Sequence, residues 1–443
     1  MAAKPASGKR RVKEQVSNAS PAYRYYVLGV LLVAYIFNFI DRQVMTILLE
    51  PIKQEFGASD TAMGFLTGFA FAVFYATLGV PVARLADRWS RRNVLAGAMV
   101  LWSGLTALCG TATSFWQMTL LRIGVGVGEA GGTPPSHGLI AAYFPVEQRS
   151  TAMAIHASGT QFGVLIGLFG GALLAEAFGW RAVFFIFGLP GILVGLVVFL
   201  TIREPAQRPE PSGRSFVEDV KHLWQMPSFA GLSLATGFTA LAGYGMGVWF
   251  PSFLQRVHGL TLVESGLILG VIGTLGALIG GILGGIWCDK LAARDPRWQM
   301  RFPAVGAGLS VVFMTAFILW PEAQQWQVGD LRVPVAVVFL FFGGVVSAFW
   351  VGPTYAAVQT IAPEHMRSQA SALLLLLLNL IGMGLGPVIV GVLSDALTSS
   401  LAEQAIRWAM VISLLTVVIG SLLYWRSAEP YKRAVLAGGA NHG

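Results

Sequence analysis

Long apolar blocks separated by short polar breaks dominate the chain. Twelve are long enough to cross a bilayer as helices, near 24–49, 62–85, 93–112, 115–143, 150–177, 179–202, 228–255, 261–286, 301–320, 332–358, 367–395 and 402–425. They are not the narrow periodic stripes of a helix lying on a soluble core. The pattern predicts an all-α membrane protein with twelve transmembrane helices. The longest polar break, REPAQRPEPSGRSFVEDVKHLWQMPS at 203–228, falls between the sixth and seventh blocks and splits the chain into two sets of six. The expected organisation is a tail over 1–22, a six-helix bundle over 23–202, a linker over 203–227, a second bundle over 228–426 and a tail over 427–443. Proline and charge make the first part of the linker a connector. Its second part places Phe216, Val217, Val220, Leu223 and Trp224 on one helical face, which predicts a short amphipathic helix at the membrane surface.

Composition agrees. The chain has 443 residues, of which 55% are hydrophobic and 12% charged, against about 25% charged in soluble domains. The formal net charge of +8 invites a nucleic-acid reading, but the distribution of charge argues against it. With the N-terminus inside, cytoplasmic segments hold 23 of the 30 Lys and Arg residues and outer loops hold 5, the other two being Arg42 and Arg122 within spans. This is the positive-inside pattern, and an even number of spans puts both termini in the cytoplasm. The polar, basic first residues lead straight into a long apolar span without a cleavable signal pattern, so they read as a disordered tail. Cys109 and Cys288 fall in or beside apolar blocks, and neither cysteine nor histidine shows metal-ligand spacing. No metal, no cofactor and no nucleic-acid partner is expected.

The two sets of six echo each other. PVEQRS begins at Pro145 and PEHMRS at Pro363, each just before a Gly-rich apolar span. Asp87-Arg88 follows the second span as Asp289-Lys290 follows the eighth. Parallel halves of six helices are the repeat of major facilitator transporters, so the expected fold is the major facilitator fold, with substrate held between the halves near the midplane.

Four charges lie well inside spans. YIFNFIDRQV at 35–44 carries Asn38, Asp41 and Arg42 on one broad polar face, and the fourth span carries Arg122 and Glu129 two turns apart. Each such charge costs at least ~2.5–3.5 kcal/mol near the bilayer centre, so it must be paired or face water. Adjacent helical residues point about 100° apart, so Asp41 and Arg42 must find partners on other helices. At ~1.5 Å per residue Asp41 and Arg122 lie at matching depths, with Glu129 deeper. The four sum to zero, as a buried network should. Asp41 and Glu129 are therefore the candidate proton carriers. Arg42 and Arg122 are the candidates for holding an anionic head group and for switching those carboxylates. The alternative is a structural salt-bridge network. Gly126, Gly128 and Gly131 match a dinucleotide-loop pattern, but no strand precedes them and no acid follows at the right distance. Gly124, Gly128 and Gly132 instead form a small-residue stripe for close helix packing, and Thr133, Pro134 and Pro135 are expected to bend the helix. An intramembrane enzyme using Glu129 and His137 as acid and base lacks a nucleophile, so no enzymatic activity is expected. The second half offers polar and aromatic residues in place of mid-depth charge: Tyr244, Trp249, Phe250, Trp350, Tyr355, Gln359 and Asn379. With Phe37, Asn38 and Thr133 of the first half, Tyr244, Trp249, Trp350, Tyr355 and Asn379 are the candidate cavity lining. A charged half opposite an aromatic half suits an amphipathic anion.

ARLADRWSRRNVL at 83–95 resembles the major facilitator loop signature through Leu85, Asp87, Arg88, Arg91 and Arg92, with Ala83 and Ser90 in place of its glycines. The resemblance implies a cytoplasmic gate that includes Asp87, Arg88, Arg91, Arg149, Asp289 and Arg367. NFIDR at 38–42, LADRWSRR at 85–92, LRIGVGVGEA at 121–130, the Arg149 loop and REP at 203–205 together resemble the Spinster family of that superfamily. Eukaryotic members export sphingosine phosphate and lysolipids. The resemblance implies a proton-coupled, alternating-access transporter of a lipid-like anion, with Asp41, Arg42, Arg122 and Glu129 as its proton-sensing and head-group site. The same Asp-Arg pair with Arg and Glu on the fourth span is also similar to symporters of sugar acids and other small organic anions. The expected setting is a bacterial inner membrane, as a monomer among membrane lipids, with protons and the anion as partners.

Overall fold

The computed structural model describes residues 20–204, 216–363 and 366–440. The N-terminal tail as far as residue 19 and the first part of the linker, 205–215, lie outside the described residues. Nine helical stretches among the described residues are long and apolar enough to cross a membrane, and one of them, Gln369–Ala437, contains both the eleventh and the twelfth expected spans. The expected fourth and seventh spans are helical too. The fourth runs as Phe115–Glu129 and Thr133–Tyr143, and the seventh as the continuous helix Pro227–His258. The break at 130–132 sits one turn before Pro134 and Pro135, whose rings have no N–H to give to that turn. In the linker the helix Phe216–Gln225 forms and buries Leu223 beside Phe229 and Met300, while the last helix continues to Ala440.

A widened, π-helical turn interrupts the second, fifth, eighth and eleventh spans: Phe65–Phe69, Ile166–Gly170, Ile268–Gly273 and Leu378–Leu385. These are the middle helices of four successive triplets, so the internal repeat extends below the level of the halves.

The chain forms two compact units: Met1–Met45 with Phe74–Ser212, and Thr46–Val73 with Gly213–Gly443. In the first unit, small residues set the helix spacing. Gly188, Gly191 and Gly195 of the sixth span bring it against Ser103, Ala107 and Val100 of the third, where an added Cβ would clash. Gly163 and Gly167 of the fifth span press on Phe39, Ile40 and Gln43 of the first. Gly124 and Gly128 of the fourth span meet Leu105 and Trp102 of the third. The expected glycine stripe is therefore a packing face.

The second unit includes the facing ends of the first two spans. Gly64 and Gly68 abut the backbone of Pro387 and Gly384 in the eleventh span, and Gly391 abuts that of Asp60. Gly276 and Gly280 bring the eighth span onto Phe341 and Val345 of the tenth. Tyr424 is fully buried and shares hydrogen bonds with Thr236 and Thr354 at 2.9 and 2.8 Å, tying the twelfth span to the seventh and tenth. Between the ninth and tenth spans a two-stranded antiparallel hairpin pairs Gln325–Val328 with Leu331–Pro334, Gln325 lying opposite Pro334.

Candidate functional site

The four intramembrane charges meet in the first unit, and they pair crosswise between the first and fourth spans. Arg122 Nη1 lies 3.3 Å from Asp41 Oδ1, and Thr106 Oγ1 of the third span donates to the same oxygen at 2.7 Å. Arg42 Nε donates to Glu129 Oε2 at 2.7 Å, and Asn38 Nδ2 donates to it at 2.9 Å. Helical geometry explains the cross. Asp41 and Arg42 point about 100° apart on the first span and so meet different residues, and the long Arg42 side chain covers the depth that separates Glu129 from Arg122, two turns away on the fourth.

Burial is nearly complete: Asp41 is 4% exposed, Arg122 2% and Glu129 0%. Among the described residues Oδ2 of Asp41 and Oε1 of Glu129 accept no hydrogen bond, so each carboxylate keeps one oxygen unpartnered. A small cleft lined by Phe37, Asp41, Trp102, Ser103, Thr106 and Gly188 opens beside Asp41. The Arg42 guanidinium lies 4.5 Å from the centre of the Tyr75 ring and 5.3 Å from that of Phe39, so aromatic faces share the stabilisation of its charge. The packing of Gly163 and Gly167 on Phe39 and Gln43 fixes the first span at this level. Such an arrangement can hold two negative and two positive charges in apolar surroundings only while both pairs are intact.

The other expected site residues divide. Thr133 and Phe37 are half-buried in the first unit. In the second unit Tyr244 is exposed and Asn379 half-buried, while Trp350 and Tyr355 pack against its core cluster. Trp249 is fully buried and its Nε1 donates to the Pro387 carbonyl at 2.9 Å, so in this structure it joins the seventh span to the eleventh. Among the expected gate residues, Arg91 Nη1 donates to the Gly138 carbonyl at 3.1 Å and Arg149 Nη2 to the Ala141 carbonyl at 2.8 Å. Arg88, Asp289 and Arg367 are exposed, and the side chain of Asp87 lies outside the described residues.

Two constellations escape the sequence reading. Glu204, inside the REP motif, caps the third span. It accepts from the backbone N–H groups of Arg91 and Arg92 at 3.0 and 2.8 Å and from Ser90 Oγ at 2.7 Å. In the second unit Arg256 bridges Glu50 and Asp60, with Nη1 2.7 Å from Asp60 Oδ2. Lys53 and Ser394 also bond Asp60, and the Asp395 carboxylate accepts from the N–H groups of Asp60 and Thr61 at 3.0 and 2.7 Å. In sequence these residues look like ordinary charges at span ends.

The sequence pattern of the Major Facilitator Superfamily matches residues 31–387. An MFS-type efflux pump of Mycolicibacterium smegmatis is 34% identical over 425 residues, 94% of this chain and 95% of its own. A "Probable galactarate/D-glucarate transporter" of Bacillus subtilis is 24% identical over 96% of this chain and 97% of its own. The crystal structure of a bacterial homologue of the human lysosomal transporter Spinster, inward-facing and unoccupied, superposes with a TM-score of 0.83 at 30% identity, over 94% of this chain and 99% of that one. The chain is thus a multi-pass membrane transporter of the Major Facilitator Superfamily and, within that superfamily, of the Spinster type.

Proposed function

We propose that this transporter couples proton movement to alternating-access transport of an amphipathic or lipid-like anion, of the lysolipid or sphingoid phosphate class. The observation that carries the reading is the crosswise pairing: two buried carboxylates, each with one open oxygen, each held by an arginine from the other helix. An anionic head group that draws Arg42 or Arg122 away leaves a buried carboxylate without its counter-charge. Proton uptake is the least costly way to neutralise it. The substrate anion and the carboxylate then compete for the same guanidinium, so substrate binding and proton uptake favour each other, which is a coupling that a secondary transporter can use. The exposed and half-buried aromatic and apolar residues of the second unit, Tyr244 among them, are the candidates for the apolar body of the substrate.

The setting proposed is a bacterial inner membrane, with both termini cytoplasmic and the protein a monomer. The mycobacterial relative is named an efflux pump, which favours export. The second reading, symport of a sugar acid, is favoured by the whole-length similarity to the galactarate/D-glucarate transporter.

Asp41→Asn and Glu129→Gln test the carriers. Each is expected to abolish pH-driven transport in proteoliposomes while the protein still folds and elutes as a single species, with its unfolding midpoint lowered by the loss of a buried pair. Undiminished pH-driven flux in both variants would remove the assignment.

A further inference from the structure

His156 is fully buried in the first unit, and among the described residues neither of its ring nitrogens has a hydrogen-bond partner. A neutral imidazole carries one donor and one acceptor, and leaving both unmet in an apolar interior is costly. Packing alone would be served as well by phenylalanine. The titratable groups that face His156 come from two other helices. The Tyr35 ring of the first span stacks on it at 4.4 Å and 27°, and the His137 ring of the fourth span meets it edge-on at 5.4 Å. His137 itself is exposed.

This cluster is aligned with the charge network. Tyr35, Asn38 and Arg42 follow an i, i+3, i+7 stripe, which places Tyr35 about 10 Å along the first span from Arg42, toward its N-terminal end. His137 stands eight residues beyond Glu129, about 12 Å along the fourth span, in the same direction given the antiparallel course of the two helices. Two tyrosines stand along this stretch: the Arg42 guanidinium lies 4.5 Å from the centre of the Tyr75 ring, and Tyr35 stacks on His156.

We propose that His156 and His137 form a second proton station, through which a proton held at Glu129 reaches the N-terminal side of the membrane. The inference rests on the proton-coupled reading above. One ring nitrogen of His156 takes up the proton and the other releases it toward His137, so the ring ends each cycle neutral. Tyr75 and Tyr35 supply hydroxyls along the way, and His137 passes the proton to water. No bond between heavy atoms forms or breaks.

The test separates coupling from transport. His156→Phe keeps the stack on Tyr35 and removes the titratable nitrogens. His137→Asn makes the same test at an exposed position that tolerates change, in case His156→Phe fails to fold. Proteoliposomes would be assayed with lysophosphatidate and with glucarate, following whichever the wild type moves. The readouts are net pH-driven flux, exchange at equal pH, and the dependence of flux on the pH of the N-terminal side. Loss of at least about tenfold in pH-driven flux is expected, with a flattened pH profile and exchange within about twofold of wild type. Wild-type flux with a wild-type pH profile in both variants would overturn the relay while leaving the coupling reading intact. Parallel loss of exchange and flux in a stably folded variant would also overturn it, because that marks a structural role. A wild-type protein that moves neither probe in response to a pH gradient would bring down the proton-coupled reading itself, and the relay with it.

Discussion

Replacing Arg256 with glutamine removes the guanidinium shared by Glu50 and Asp60, which are 6% and 2% exposed. Breaking a buried ion pair by deleting one partner costs about 3–5 kcal/mol, because the remaining charge stays desolvated. Two features place Arg256→Gln at the lower end, near 3 kcal/mol. The Arg256 side chain is 17% exposed, and Asp60 keeps Lys53 at 2.5 Å and Ser394 at 2.6 Å. Glu50 bears the larger deficit. Glu50→Gln leaves Arg256 with Asp60 and should cost only about 1 kcal/mol. The double variant leaves no unpaired carboxylate at position 50, so its cost should fall below the sum of the singles by about 2 kcal/mol. Denaturant unfolding of the four proteins in one detergent measures the cycle. Additivity within about 0.5 kcal/mol would refute the argument, since it would mean that the two side chains do not sense each other.

Gly280→Ala should destabilise the protein by about 1–3 kcal/mol in thermal unfolding, because the new Cβ would collide with the Val345 carbonyl of the tenth span. Gly281→Ala, where nothing lies within 4 Å of the added carbon, should be neutral or slightly stabilising by the same measurement. Glu204→Ala should cost about 1–2 kcal/mol by loss of the cap on the third span, and Glu204→Gln should recover part of it. Equal stability of wild type and Glu204→Ala would remove that role.

What the sequence makes legible follows from the cost of burying charge. Twelve apolar blocks show where helices must lie, and charges inside them must find one another, so Asp41, Arg42, Arg122 and Glu129 stand out before any coordinates exist. Depth counting also matches Asp41 to Arg122, the pair that the structure joins. The role of Asn38 and Thr106 in fixing the two carboxylates is not legible, because a hydroxyl or amide in an apolar helix is common and only the facing helix shows what it meets. The Arg256 cluster is hidden for a different reason. Glu50, Lys53 and Asp60 sit at the junction of the first two spans, where charge at span ends is ordinary, and the packing of Gly64 and Gly68 onto the eleventh span brings that segment to Arg256 and Asp395. The stripe of Gly124, Gly128 and Gly132 is legible as packing, but its partners, Leu105 and Trp102, are chosen by the fold. His156 gives no sequence signal, since a histidine in an apolar span looks the same whether its nitrogens are satisfied or not.

The central claim, that the crosswise pairs couple substrate to protons, is tested most directly with a pH-sensitive dye trapped in wild-type proteoliposomes. Lysophosphatidate or glucarate is added at equal pH on both sides, and then again under an imposed pH gradient. Coupling predicts that lysophosphatidate shifts the internal pH as it moves, and that the gradient accelerates its movement in one direction only. Substrate movement at the same rate with and without the gradient, and with no change in dye signal, would contradict the claim.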